Sequence, residues 1–215
     1  MTTVKREETV NLIPAKYKDC YLTYILRYNH NCSAIVFART SETACTLALM
    51  LSNLGMSALL ITDNMSKSQR SGVLDMFFTN LIYPSCGSVL VCTDVVSREL
   101  EIPSVDIPSV DIIVNYDIPS NSQNYIHSVG RATQAGRCGL AISLVSQCEV
   151  EKYIKIEKLI GKDFPEFPSF SKDEAIRTFD IVTQAKRNAV MEIEIIRDSK
   201  CMEEMKMMMI LESRL

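Results

Sequence analysis

The feature that most constrains the fold is a regular alternation of short apolar runs with segments of helical pattern between residues 33 and 160. The apolar runs are continuous, which is typical of strands buried on both faces. Strands that alternate with helices predict a parallel sheet covered by helices on both faces. The predicted strands are SAIVF (33–37), SALLI (57–61), SVLVC (88–92), DIIVNY (111–116) and GLAISLV (139–145).

Start and stop signals between these runs support the same alternation. The segment SETACTLALMLSNLG (41–55) begins on a serine and ends on Gly55, as capped helices do. A further strand is predicted upstream, at ETVNLIPA (8–15), which gives five or six parallel strands in total. Helices are predicted at 16–29, 41–55, 66–78, 121–129 and 148–161.

The character of the chain changes near Lys172. From there to the C-terminus it is rich in methionine and charge and carries no strong strand pattern, which predicts one or two helices. The run MKMMMIL (205–211) is typical of an apolar helix face. We therefore predict an α/β domain over residues 1–168 and a helical C-terminal extension over residues 169–215.

The sequence IPSVD occurs twice in tandem, at 102–106 and 107–111. Structural arrays have periods of about 20 residues or more, so this repeat is a local duplication. The prolines at 103 and 108 favour extended backbone in both copies. The duplication therefore predicts a lengthened loop before the strand at 111–116.

Composition narrows the classes of function. The formal net charge is −3, whereas a dedicated nucleic-acid binder is more often basic, so any RNA contact must come from a local cluster. No apolar run approaches the roughly 20 residues that span a bilayer, so we expect no membrane partner. The eight cysteines form no CxxC pair, and several lie in apolar runs. They predict reduced thiols, an intracellular protein and no metal site.

One segment has the composition of a phosphate site. YIHSVGRATQAGR (125–137) holds two glycines and two arginines with one of the two histidines of the chain. Glycine lets the backbone approach a ligand closely, and the arginine fork matches phosphate oxygens. With AIVFART (34–40), VLVCTDVVSRELEIPSVD (89–106) and IIVNYDIP (112–119), this segment resembles the ordered motifs of the second RecA-like domain of DEAD-box RNA helicases.

The resemblance covers residues 2–168, and it implies a RecA-like α/β fold. LIPAKYKDCYLTYIL (12–26) and LIGKDFPEFP (159–168) resemble the nucleolar helicases of ribosome biogenesis in particular. It also implies two sets of site residues. Those that would contact the RNA backbone are Arg39, Thr40, Arg70, Thr93, Asp94, Arg98 and Glu99, and those that would face the nucleotide are Glu101, His127, Gly130 and Arg131.

Without the motifs, these residues would have ordinary interpretations. A single histidine such as His127 is more often a hydrogen-bonded core residue than a catalyst, and the arginines could form a solvated face. Their positions in the motifs point to a ligand instead. Thr40 also lies where a helix cap belongs. Arg131 is the retained arginine that would stabilise charge on the transferred phosphate.

Several positions depart from the family pattern. Gln134 stands where the family has an arginine finger, and Ser128 replaces another arginine of the same motif. Glu99 replaces a glycine that lets the backbone meet an RNA phosphate, so we expect repulsion there. The remaining departures are Glu101 for an aspartate near the nucleotide, Asp63 for a glycine and Lys67 for a glutamine.

The sequence contains neither a GxxxxGK[ST] phosphate loop nor a DEAD-type acidic box. Phosphoryl transfer needs both the phosphate cradle with its magnesium and the finger. We therefore expect ATP and magnesium to bind only if this chain is paired with a first RecA-like domain, and no hydrolysis by the chain alone.

Three hypotheses follow. In one, the chain is the C-terminal domain of an ATP-dependent RNA helicase in rRNA processing. In another, it is a degenerate, non-catalytic module that binds RNA or protein. A product without a selected role is the third. The resemblance implies weak contacts to RNA backbone, pre-ribosomal proteins as partners, no DNA, and a nuclear or nucleolar location.

Overall fold

The computed structural model describes residues 7–82, 88–93, 110–119, 122–131, 139–161, 165 and 171–212. These residues form an α/β fold with six strands. The strands are β1 (Glu7–Ile13), β2 (Ala34–Ala38), β3 (Ser57–Ile61), β4 (Ser88–Thr93), β5 (Ile112–Asn115) and β6 (Leu140–Ser146). All pair in parallel, in the order β1-β6-β5-β2-β4-β3. The predicted parallel sheet is therefore confirmed, including the strand upstream of residue 16.

Seven helices connect or follow the described strands. They are α1 (Lys18–Tyr28), α2 (Ser41–Asn53), α3 (Lys67–Ile82), α4 (Ser122–Arg131), α5 (Val150–Ile160), α6 (Lys172–Arg177) and α7 (Phe179–Glu212). Short 3-10 turns precede α1, at Ala15–Tyr17, and α5, at Gln147–Glu149. The described part of the predicted tail, residues 171–212, thus contains two helices, and α7 is 34 residues long.

Successive strand residues point into two cores on opposite faces of the sheet, which explains why the strands are apolar without alternation. On β2, Ala34 and Val36 belong to one core and Ile35 and Phe37 to the other. The first core is closed by α1, α2, α6 and α7, and the second by α3, α4 and α5. Helices therefore cover both faces, as predicted.

The first part of the tail belongs to the first core. Ala175 of α6 and Val182, Ala185 and Ala189 of α7 are buried against residues of α1 and α2. These small side chains recur every three or four residues, which lets α7 lie close to α2. Asn53 Nδ2 donates to the carboxylate of Glu192 at the same contact, at 3.1 Å.

Two helices extend beyond their predicted ends. α4 continues through Gly130 to Arg131, although glycine costs about 1 kcal/mol in a helix. Tyr125 of this helix is buried in the second core, and packing of this kind outweighs an intrinsic preference. α3 runs to Ile82, two residues before Pro84, because the sequence offers no strong helix breaker before that proline.

Asp111, the last residue of the duplicated IPSVD, anchors the start of β5. Its Oδ2 accepts from the backbone N–H and the hydroxyl of Ser33, both at 2.8 Å. Val110 beside it is buried in the second core. The rest of the duplication, residues 102–109, lies outside the described residues.

The described cysteines are free thiols, with Cys20 and Cys92 buried, Cys32 and Cys45 half-buried, and Cys148 exposed. Burial raises the pKa of Cys32 and Cys45, which makes them poor nucleophiles. None of the helices in the described segments is both long and apolar enough to cross a bilayer.

Candidate functional site

A parallel sheet brings the carboxyl ends of its strands to one edge, and ligands of α/β proteins bind there. Arg39 and Thr40 follow β2, and Thr93 ends β4. Arg70 lies in the first turn of α3, after the loop that follows β3. The structure therefore places four of the residues predicted to contact RNA on the same edge.

Thr40 is the N-cap of α2. Its backbone is extended, with φ −123° and ψ 151°, and its side chain accepts from the backbone N–H of Thr43 at 3.1 Å. This is the geometry that satisfies an otherwise unpaired N–H at a helix start. The predicted capping role of Thr40 is therefore present in the structure, while its contact with RNA remains a prediction.

Arg39 is half-exposed and makes two different contacts. Its Nη2 donates to Glu149 Oε1 at 2.9 Å, and its backbone N–H donates to Asp117 Oδ2 at 2.9 Å. The guanidinium is thus drawn toward the ends of β5 and β6. Because guanidinium carries five N–H donors, most of them remain available to a further ligand.

Arg70 fixes the loop that leads into α3. Its Nε donates to the backbone carbonyl of Met65 at 3.0 Å, and its backbone N–H donates to the carbonyl of Ser66 at 3.0 Å. The side chain is half-buried. Arg70 therefore holds the loop in place in addition to any contact that it makes with a ligand.

Thr93 is buried, with 2% of its surface exposed, and its Oγ1 has no hydrogen-bond partner in the described part of the structure. A buried hydroxyl without a partner costs on the order of 1–3 kcal/mol. Such groups are uncommon in folded proteins and often mark a function. The unpaired hydroxyl lies where the sequence predicted a donor to an RNA phosphate.

The predicted nucleotide-facing residues are described only in part. His127, Gly130 and Arg131 lie on the second half of α4. Ser128, which replaces an arginine of the family pattern, is buried, and its Oγ donates to the carbonyl of Tyr125 at 2.9 Å. The predicted residues that lie outside the described segments are Asp94, Arg98, Glu99, Glu101 and Gln134.

Asp63 lies in the loop after β3 and accepts a hydrogen bond from the hydroxyl of Ser41, the first residue of α2. A carboxylate at the N-terminus of a helix is stabilised by the helix dipole. The substitution of a glycine by Asp63 therefore places a negative charge at the edge where RNA phosphates were predicted. Lys67, the other departure in this region, is the exposed first residue of α3.

Sequence analysis missed a buried ion-pair cluster at the same edge. Lys18 of α1 is 5% exposed, and its Nζ lies 2.6 Å from Glu149 Oε2 and 3.5 Å from Asp117 Oδ1. Arg39 contacts the other carboxylate oxygen of Glu149. We call Lys18, Arg39, Asp117 and Glu149 the edge cluster. It ties α1 to the ends of β2, β5 and β6.

Glu149 also organises the backbone around it. Its carboxylate accepts from the backbone N–H of Ile118 at 3.1 Å, from that of Ser146 at 3.2 Å and from the Ser146 hydroxyl at 2.5 Å. Ser146 and Glu149 form a capping box at the turn before α5. The S-x-x-E spacing of that box is visible in the sequence and could have singled out Glu149.

Tyr116 extends the polar contacts toward the tail. Its hydroxyl donates to Asp19 Oδ1 at 2.7 Å, and Lys186 Nζ of α7 lies 2.7 Å from Asp19 Oδ2. Burial, followed by the charge of Asp19, raises the pKa of Tyr116 far above its ordinary value. The phenol therefore remains a neutral donor, and α7 is tied to the same edge as α1.

The edge cluster predicts a pH dependence of stability. Burial favours protonation of Glu149, but hydrogen bonds from Lys18 and Ser146 and the Lys18 charge outweigh it, so the pKa falls below 4.5. A carboxyl whose folded pKa is lowered contributes stability above its unfolded pKa and loses it as pH falls through the folded value. We expect the free energy of unfolding to fall below about pH 4.5.

Thermal unfolding across pH 3 to 7 measures this effect. The Glu149→Gln variant should show a weaker dependence on pH in the acid range than the native chain. Glu151→Gln removes an exposed glutamate from α5 and should leave the native acid dependence in place. Equal acid dependence in the native chain and Glu149→Gln would contradict the assignment.

The described residues offer no set of ligands for the cofactors that the resemblance implies. Among them, no group of three or more His, Cys, Asp and Glu side chains is arranged to hold a metal ion. The sequence holds no phosphate loop that could cradle a triphosphate. Binding of ATP and magnesium only together with a first RecA-like domain remains a prediction.

Comparison with known proteins decides the family. A family model described as helicase conserved C-terminal domain matches residues 17–136, more than half of the chain. The chain is also 46% identical over 188 residues to DEAD-box ATP-dependent RNA helicase 10 of Arabidopsis thaliana. The chain belongs to the DEAD-box RNA helicase family. It matches the C-terminal domain of that family, as the motifs predicted.

Two further similarities add detail to this assignment. The chain is 40% identical to the ATP-dependent rRNA helicase RRP3 of Yarrowia lipolytica, which agrees with the predicted likeness to ribosome-biogenesis helicases. The crystal structure of the Escherichia coli DEAD-box protein SrmB bound to RraA has a TM-score of 0.66 and 26% identity. That similarity covers 79% of this chain and 94% of the solved chain, and it confirms the RecA-like fold.

This DEAD-box chain spans less than half of the curated relatives that it matches. The alignments cover 87% of the chain but 39% of the Arabidopsis relative, and 84% of the chain but 35% of the Yarrowia relative. The match therefore does not by itself assign the activity, substrates or partners of a whole helicase to these 215 residues.

Proposed function

We propose that this chain is the RNA-contacting, C-terminal RecA-like domain of an ATP-dependent helicase that acts in rRNA processing. The observation that carries the proposal is the placement of Arg39, Thr40, Arg70 and Thr93 on one edge of the parallel sheet. The similarity to an rRNA helicase supports the choice of substrate class and a nucleolar location. Pre-ribosomal RNA, with its bound proteins, is the corresponding partner.

The chemistry of this edge suits backbone contacts. Among the described residues, the Thr93 hydroxyl has no partner and the Arg39 guanidinium uses one N–H on Glu149, and both are groups that bind phosphate oxygens. No base-reading element is needed for such contacts. Binding of this kind is independent of base sequence and weakens as salt is raised.

Catalysis requires a second domain. In the family, the arginine motif faces the nucleotide from across a cleft between two RecA-like domains. This chain keeps Arg131 but carries Gln134 and Ser128, and its sequence holds no phosphate loop. The role of the domain is therefore to contribute RNA contacts and one arginine to a composite nucleotide site. The same substitutions favour the alternative of a non-catalytic RNA- or protein-binding module.

We expect the affinity for single-stranded RNA to differ between the native chain and variants that restore the family glycine at position 99 or 63. Glu99 places a carboxylate where the family has a glycine, and Asp63 adds another negative charge at the same edge. Repulsion between a carboxylate and a phosphate costs on the order of 1 kcal/mol or more, so Glu99→Gly should bind single-stranded RNA about fivefold more tightly. Asp63→Gly should add to that gain.

Fluorescence anisotropy of a labelled single-stranded RNA at low salt measures these affinities. Asp75→Asn serves as the control, because it removes the same charge from an exposed position on α3. Circular dichroism melts establish that each variant is folded. Tight binding by the native chain, or equal affinity of Glu99→Gly and Asp75→Asn, would count against the proposed contact.

A further inference from the structure

A basic cleft lies beside the edge cluster and shares Arg39 with the residues proposed to contact RNA. Its volume is about 510 Å³. Four cationic side chains line it, and each comes from a different part of the fold. They are Lys18 of α1, Arg39 after β2, Lys152 of α5 and Lys186 of α7. This volume falls within the range of about 300–1,000 Å³ that is usual for small-molecule sites.

The carboxylates around the cleft already accept hydrogen bonds from donors of the chain, and Glu149 accepts the most. Glu149 accepts from Lys18, Arg39, Ile118 and twice from Ser146. Asp117 accepts from the Arg39 backbone and from Lys18. Asp19, behind the cleft, accepts from Tyr116 and Lys186. A cationic ligand would therefore have to displace existing partners.

The cationic side chains of the cleft, in contrast, have more N–H donors than they use in the described contacts. Arg39 uses one side-chain N–H on Glu149, and Lys186 uses one on Asp19, although guanidinium carries five donors and ammonium three. Both side chains are 42% exposed. Lys152 is exposed and has neither an ion pair nor a hydrogen bond within the described part of the chain.

The balance of charges around the cleft also favours an anionic ligand. The four cations face three carboxylates, Asp117 and Glu149 in the lining and Asp19 paired with Lys186, so one net positive charge remains beside the cleft, whereas the whole chain carries −3. A local excess of positive charge with free donors is the electrostatic signature of an anion site. The carboxylates hold Lys18, Arg39 and Lys186 in position, and Lys152 has no ion pair among the described residues.

We propose that the basic cleft binds a small polyphosphate anion. Phosphate oxygens are strong acceptors that match both guanidinium and ammonium donors. The four cations converge on one cavity instead of forming a track, which favours a compact ligand over an extended strand. The site lies at the ends of β2, β5 and β6, whereas Arg70 of the RNA-facing set lies in the first turn of α3 and Thr93 ends β4.

Isothermal titration calorimetry with inorganic tripolyphosphate tests the proposal on the full chain. The native chain should bind it, and Lys152→Gln should weaken binding by about threefold to tenfold, as expected for loss of one charge-assisted contact. Lys155→Gln is the matched control, because it removes the same charge from an exposed position on the same helix outside the cleft. Its affinity should equal that of the native chain.

Cys148 provides an independent measurement because it lines the cleft and is exposed. Tripolyphosphate should slow the alkylation of Cys148 by iodoacetamide in the native chain and in Lys155→Gln, followed by peptide mass spectrometry. Protection should be weaker in Lys152→Gln. This readout does not depend on the heat of binding.

Three outcomes would overturn the proposal. One is the absence of tripolyphosphate binding by the folded native chain. Another is an equal loss of affinity in Lys152→Gln and Lys155→Gln, which would indicate unspecific attraction. The third is a loss of single-stranded RNA binding in Lys152→Gln without any effect on tripolyphosphate, which would make the cleft part of an RNA track. The proposal does not rest on the helicase assignment, so failure of either leaves the other standing.

Discussion

The isolated chain is expected to hydrolyse no ATP above a boiled control, with or without RNA. The phosphate loop and the acidic metal box are absent from its sequence, and Gln134 cannot supply the positive charge of an arginine finger. A purified sample freed of contaminating ATPases is assayed for phosphate release. RNA-stimulated release by the native chain would refute the expectation.

A chimeric protein separates the effect of the absent phosphate loop from the effect of Gln134. When the first RecA-like domain of the Arabidopsis relative is joined to this chain, the phosphate cradle is restored but the finger is still glutamine. Loss of a finger costs on the order of 10³ to 10⁵ in rate, so Gln134→Arg in the chimera should raise hydrolysis by about that factor. Gln184→Arg, which adds the same charge on an exposed face of α7, should have no such effect.

Equal rates in the native and Gln134→Arg chimeras would show that the glutamine is not what limits hydrolysis. The other departures, Glu99, Glu101 and Ser128, would then be the next to revert. High activity of the native chimera would remove the argument for a degenerate module. In that case Gln134 would no longer be an argument against an active helicase domain.

Replacement of Lys18 by methionine is expected to lower the free energy of unfolding by about 3–5 kcal/mol, the usual cost of removing one partner of a buried ion pair. Lys18 and Glu149 are 5% and 4% exposed, so water cannot replace Lys18 at the carboxylate, which keeps Arg39 as its remaining cationic partner. Urea denaturation monitored by circular dichroism measures the change. Lys155→Met, at an exposed position of α5, should change stability by no more than about 0.5 kcal/mol.

The double variant Lys18→Met/Glu149→Gln tests the physical cause. Glutamine carries no charge and keeps one acceptor oxygen for the backbone N–H of either Ile118 or Ser146, which donate to different oxygens of Glu149. It should therefore recover part of the stability lost in Lys18→Met. If Lys18→Met costs no more than Lys155→Met, the edge cluster does not stabilise the fold.

The sequence by itself determined the class of fold and the family. Continuous apolar runs such as Ala34–Ala38 can be buried on both faces only in a covered parallel sheet, and periodicity is a local property that a single sequence displays. Each individual motif, and the position of Thr40 as a cap, is equally local. Each depends on residues within a few positions of one another.

Tertiary structure alone decided the rest. Strand order places β1 beside β6, and packing over Tyr125 carries α4 through Gly130. The edge cluster joins Lys18 to Glu149, residues 131 positions apart, and the basic cleft adds Lys186 from the last helix. No local pattern records such pairings, because they exist only after the sheet has brought distant strand ends to one edge and burial has made their charges interdependent.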